Sequence, residues 1–65
     1  NFDAPFKTAK EEFVGEFERR YILHHLSLNH GNVARTARTT GMFEGHLYQK
    51  IKRYQINPNQ FRVVD

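Results

Sequence analysis

The sequence predicts an all-α domain, one long N-terminal helix followed by two short helices hinged at a glycine, and three observations carry that prediction. From Pro5 to Asn29 nothing interrupts a helix except Gly15. Between Gly31 and Tyr54, apolar residues recur at helical spacing on both sides of Gly41. The second of these runs ends in the basic cluster Lys50-Ile51-Lys52-Arg53.

The long helix is expected to start at Pro5, whose missing N–H would have no intrahelical partner in a first turn. Phe13, Phe17, Tyr21, His24 and Leu28 lie along one side, with Val14, Ile22 and Leu26 beside them. Such a stripe is too wide and too aromatic for a lone surface helix. A helix of roughly 24 residues spans about 36 Å, more than two short helices can cover, so a second copy of the chain is the simplest partner for the remainder. Tyr21, Leu26 and Leu28, nearest the later helices, are expected in the intramolecular core. Phe6, Phe13 and Phe17 suit a dimer seam, which Tyr21 would extend. Gly31 is expected to end the helix.

In the helix pair, Asn32 is placed to cap the first helix by accepting from a backbone N–H two or three residues on, and Val33 opens the apolar pattern. Ala37 is small enough for the second helix to approach closely, and Gly41 turns the chain in a left-handed conformation without steric cost. Leu47, Ile51 and Tyr54 then form an inward stripe, leaving Gln49, Lys50, Lys52 and Arg53 on solvent-facing sides. Asn57-Pro58-Asn59 is a stop signal, after which residues 57–65 form a tail, with Phe61, Val63 and Val64 either folded back or without order.

At 65 residues the chain makes one domain. A domain this small buries only about 60% of its unfolded surface, so its stability is marginal unless it dimerises or belongs to something larger. No initiator Met is present, and residues 1–5 are expected to be a linker remnant ahead of a domain spanning 6–56. No apolar run approaches the roughly 20 residues of a membrane span, and no signal peptide is visible, which points to the cytoplasm. The absence of cysteine excludes disulfides and thiolate metal sites.

The net charge of +3 is unevenly distributed. Residues 1–30 hold four Lys/Arg against five Asp/Glu, residues 31–65 six against two. A basic surface confined to the hinged pair, with a free outer face, is the outline of a DNA-binding helix-turn-helix. Lys50, Lys52 and Arg53 are candidate phosphate contacts on its second helix; Arg35 and Arg38 lie on the first, which crosses the backbone in this geometry, and the Asn32 cap faces the same way. Tyr48 either bonds a phosphate or covers the edge of the core. The first turns of the second helix should meet base edges, so Phe43, Glu44, His46 and Gln49 are candidate readers; Gln pairs bidentately with adenine, and Glu accepts from the cytosine amino group. For Glu44 a rival explanation is equally physical, because a carboxylate in a first turn is favoured by the helix dipole.

Catalysis and metal binding find no support. His24 and His25 are adjacent and should point away from each other, His30 is near a helix end, and no set has the spacing of a helical zinc pair. There is no nucleophile constellation, phosphate-cradling glycine loop or close carboxylate pair; Glu12 and Glu16 sit on an exposed face beside Arg19 and Arg20, where they pair at helical spacing. The domain is expected to be no enzyme and to need no cofactor or metal.

Gly31-Asn32, Arg35, Ala37, Gly41 and Leu47-Tyr48, followed by Lys50-Ile51-Lys52-Arg53-Tyr54, resemble the Fis-type helix-turn-helix that ends the NtrC-type, sigma-54-dependent bacterial transcription activators. Glu16-Phe17-Glu18-Arg19-Arg20-Tyr21-Ile22 is similar to the segment joining the activator's ATPase domain to this module. The resemblance runs from about Phe6 to Ile56. It implies a homodimer built on the long helices, whose two recognition helices read a palindromic upstream site through the major groove, while an upstream ATPase domain remodels the polymerase. Departures fall on the reading surface: Phe43 and Glu44 replace a small polar residue and Arg, His46 replaces Thr, and Gln49 replaces Arg or Lys. Gln55 stands where Gly is usual, which predicts a less sharply capped helix. The alternatives are a helical protein-interaction module with a basic docking face, and a stand-alone nucleoid protein of the Fis type, against which the linker-like start counts.

Overall fold

A computed structural model describes residues 1–62, within which lie three α-helices and a closing 3-10 turn. They are α1 (Phe6–Leu28), α2 (Val33–Thr40), α3 (Glu44–Arg53) and the 3-10 turn Pro58–Phe61, with no strand among the described residues. The all-α expectation holds, with a long first helix that runs unbroken through Gly15. Val63, Val64 and Asp65 lie outside the described residues.

The core is small and drawn from every helix. Ile22 and Leu26 of α1, Val33 and Ala37 of α2, Leu47 and Ile51 of α3, and Ile56 are buried together, with Leu23, Met42, Tyr54 and Phe61 packed around them. Each buried aliphatic contributes about 1.5–3 kcal/mol through the water it sheds. Phe61 shows that the tail folds back, because the 3-10 turn, capped by Asn57 Oδ1 accepting from the Asn59 N–H at 3.1 Å, returns it to this core.

Two faces divide α1, which corrects the expectation for Leu28. Gly15, Glu18, Ile22, Leu26 and Asn29 recur every three or four residues on the inner face, while Phe13, Phe17, Tyr21, His24 and Leu28 recur on the other. Leu26 is fully buried, Tyr21 half-buried and Leu28 62% exposed. Leu28 is two residues from Leu26, about 200° around the helix, so the two cannot enter one core. The histidine expectation also needs correction: the His24 and His25 rings meet edge-on at 5.1 Å, since neighbouring positions diverge by only about 100°.

All three helices end in the same pair of reverse bonds. After α1 the His30 N–H donates to Ser27 O and the Gly31 N–H to Leu26 O; after α2 Gly41 donates to Arg38 O and Met42 to Ala37 O; after α3 Gln55 donates to Lys52 O and Ile56 to Ile51 O. His30 (φ 54°), not Gly31, is therefore the left-handed residue that stops α1. Gln55 (φ 55°) closes α3 with the full motif despite lacking glycine's freedom, so the expected weak cap is not observed. Gly31 follows in a second positive-φ conformation, 81°, for a reason that comes from the far end of the chain.

Polar groups complete the packing. Asn29 is buried and its amide nitrogen donates to His25 O at 2.8 Å and Thr39 Oγ1 at 3.3 Å; Thr36, also buried, donates to Asn32 O at 2.7 Å. No buried side-chain polar atom among the described residues lacks a partner.

Candidate nucleic-acid interface

The α2–α3 pair is built as its residues suggest. Asn32 Oδ1 accepts from the Arg35 N–H at 3.0 Å and starts α2; Gly41, at φ 71°, ends it; Met42 and Phe43 lead directly into α3. Leu47 and Ile51 fix α3 to the core, so its outer face is presented to solvent.

On one flank, His46, Gln49, Lys50 and Arg53 recur at helical spacing along a shallow cleft of about 290 Å3. Two candidate readers, His46 and Gln49, are thus brought beside two cations. Phe43, 72% exposed, caps the start of α3 and sets its ring edge-on to His46 at 5.3 Å. Glu44 is exposed in the first turn, where the dipole favours it. Lys52 is exposed near the end of α3, and Arg53 lies over the Tyr54 ring at 5.8 Å. Tyr48 is exposed on the opposite flank, in a polar cleft with Asn32 and Arg35. Arg38, exposed in the last turn of α2, lines neither cleft.

Lys50 has an intramolecular partner that sequence reasoning missed. Its Nζ donates to Glu18 Oε2 at 2.6 Å, and the Tyr54 hydroxyl donates to Glu18 Oε1 at 2.6 Å. One half-buried carboxylate on α1 therefore grips α3 at two points one helical turn apart, fixing the angle at which α3 leaves the long helix. The signal was legible in principle, since Glu18 shares the inner face of α1 with Ile22 and Leu26.

These bonds shift both acids. Hydrogen bonds from Lys50 and Tyr54 hold the Glu18 carboxyl below its ordinary 4.5, and donating to that carboxylate raises the Tyr54 phenol above 10.0. A depressed carboxyl stabilises the fold above its unfolded value and loses that contribution as pH falls through its folded value. Thermal stability should consequently decline on acidification below about pH 5, and Glu18→Gln should flatten that limb while costing about 1 kcal/mol at neutral pH. An unaltered acid limb in melts of the variant would discount the triad.

Along the outer face of α1, Phe6, Phe13 (75% exposed) and Phe17 (58% exposed) stand in solvent, and Tyr21 packs its ring 5.6 Å from Phe17 and 4.5 Å from His25. Glu16 and Arg20 pair at 2.9 Å across this surface. Among the described residues no group of three His or carboxylate side chains stands close enough to hold a metal, and no helix is long and apolar enough to cross a membrane.

The residues 13–54, from the middle of α1 to the end of α3, match the family described as bacterial regulatory protein, Fis family. The chain belongs to the Fis family. This Fis-family domain is accordingly a DNA-binding regulatory module, and the α2–α3 pair is its helix-turn-helix. Neither curated proteins nor solved structures yield a match to it. The matched span ends at Tyr54, ahead of the 3-10 turn and Arg62.

Proposed function

We propose that this domain binds duplex DNA sequence-specifically as a homodimer, forming the C-terminal module of a sigma-54-dependent activator of the NtrC type, in the bacterial cytoplasm. The outer face of α3 carries this reading: His46 and Gln49 stand beside Arg53 on a helix whose inner side is anchored by Leu47 and Ile51. In a major groove, Gln49 offers a bidentate pair to adenine, Phe43 an apolar surface to a thymine methyl, and Lys52 and Arg53 neutralise phosphates. Lys50, already paired with Glu18, orients α3. The domain acts by binding rather than catalysis; a separate ATPase domain in the full-length protein would supply the work at the promoter. Two copies joined along the outer faces of α1 would present two recognition helices to a palindromic site.

The reading is tested by fluorescence anisotropy of the chain on a labelled mixed-sequence duplex over a range of salt. Affinity should fall log-linearly with salt. Lys52→Ala should weaken binding to every sequence and reduce the slope by about one, whereas Gln49→Ala should flatten preference between a selected site and a scrambled one. Identical effects of both substitutions on both duplexes would refute this division of roles. Absence of binding at low salt would favour a protein-docking module instead, for which exposed Phe43 is the apolar anchor.

A further inference from the structure

We infer that Arg62, outside the helix-turn-helix, is a DNA-backbone contact, and that it and Arg35 form the two cationic walls of a phosphate-binding cleft at the α1–α2 junction. The inference rests on the DNA-binding reading above and extends it to a segment beyond the matched residues.

The cleft, about 580 Å3 and open to solvent, is lined by His30, Asn32, Arg35, Tyr48 and Arg62 among others, and by no carboxylate among the described residues. Its two full charges come from segments 27 residues apart in sequence, and both are positive. Among the described residues the ion pairs are Glu16–Arg20 and Glu18–Lys50, so neither Arg35 nor Arg62 is neutralised by them. Two guanidinium groups, a phenol and an amide thus line one cleft, a donor set suited to a phosphodiester, whose oxygens Arg engages through paired N–H bonds.

The approach of Arg62 is constructed rather than incidental. Pro58 opens the 3-10 turn, Phe61 anchors it to the core, and the Arg62 N–H donates to Asn59 O at 3.2 Å. Gly31 makes room for the turn, the Pro58 carbonyl lying where a side chain at Gly31 would begin. The backbone of Arg62 is thereby fixed while its side chain remains exposed. Tyr48 and the candidate readers share α3 on opposite flanks, so a duplex seated on α3 would present one of its two backbones to this cleft. This continuity favours a nucleic-acid backbone over a free anion.

The test is salt-dependent anisotropy on a mixed-sequence duplex with Arg62→Gln, Arg62→Lys and, as reference, Lys52→Ala. Arg62→Gln should bind roughly fivefold more weakly and with a log–log slope smaller by about 0.9, the share of one phosphate. Arg62→Lys should keep the slope but lose part of the affinity, because a point charge replaces the planar fork. Melting temperatures should not move, since the side chain is exposed. A wild-type slope in Arg62→Gln, with a reduced slope in Lys52→Ala, would overturn the inference and leave the DNA-binding reading intact. Failure of the unsubstituted chain to bind would sink both. Equal binding of a short inorganic polyphosphate and the duplex, both weakened alike by Arg62→Gln, would reduce the cleft to a general anion site and overturn the DNA assignment.

Discussion

Gly31→Ala is expected to destabilise the domain by about 2–4 kcal/mol, a large part of the stability a 65-residue chain possesses. Two costs coincide there. At φ 81° any side chain is strained, by about 1 kcal/mol, and the added Cβ would stand 2.2 Å from the Pro58 carbonyl oxygen and 3.2 Å from its carbon. Backbone cannot rotate aside as a side chain does, so the 3-10 turn must lift off, taking Phe61 from the core and Arg62 from its cleft. Gly41→Ala isolates the first cost, because at φ 71° its Cβ would meet nothing within 4 Å; about 1 kcal/mol is expected. Chemical denaturation of the two variants measures the difference directly. Equal losses would mean that the turn does not press on Gly31.

The same glycine shows what is legible in the sequence. A positive φ near residue 31 follows from local chemistry, since a helix must stop where Asn32 caps the next. The closeness of Pro58 comes from the path of a chain 27 residues later, which no local pattern contains. The helix pair was legible because Asn32, Ala37, Gly41, Leu47 and Ile51 each have one structural role, fixed by spacing. Leu28 was misjudged because apolar residues occupy both faces of α1, and hydropathy alone does not say which face meets the core. Asn29, Thr36 and Glu18 escaped notice for a related reason: periodicity arguments follow apolar residues, whereas these are polar groups satisfied only by the tertiary fold. Of the candidate site, the stripe His46–Gln49–Arg53 could be read from helical spacing, whereas Glu18 could be placed on the inner face of α1 but not paired with Lys50, which the fold alone brings to it.

Phe17→Asp is expected to convert the proposed dimer into monomers and to weaken binding to a palindromic duplex by roughly a hundredfold or more, because each half-site must then be found independently rather than at the high effective concentration that linkage provides. Little within one chain holds the first half of α1. No buried residue occurs before Ile22, Pro5 makes no side-chain cap bond, and the first turn contains no acidic residue. A helix without packing or caps is marginal in water at about a dozen residues, so residues 6–17 need a partner to stay helical. The radius of gyration, 13.5 Å against about 11 Å for a compact chain of this length, reflects that projecting segment. In the proposed dimer a second copy would supply matching aromatic surface, since Phe13, Phe17 and Tyr21 line a groove beside the Glu16–Arg20 pair. A buried aspartate in that seam would carry an unpaired charge, whereas on the monomer surface it costs almost nothing. Loss of mass in sedimentation should therefore accompany a partial loss of helical circular dichroism, from residues 6–17, while the core around Ile22, Leu26 and Leu47 melts independently of protein concentration. Binding to a single half-site should be unchanged. An unaltered sedimentation mass would remove Phe17 from the seam, and unaltered helicity in a monomeric variant would show that the first turns of α1 need no partner.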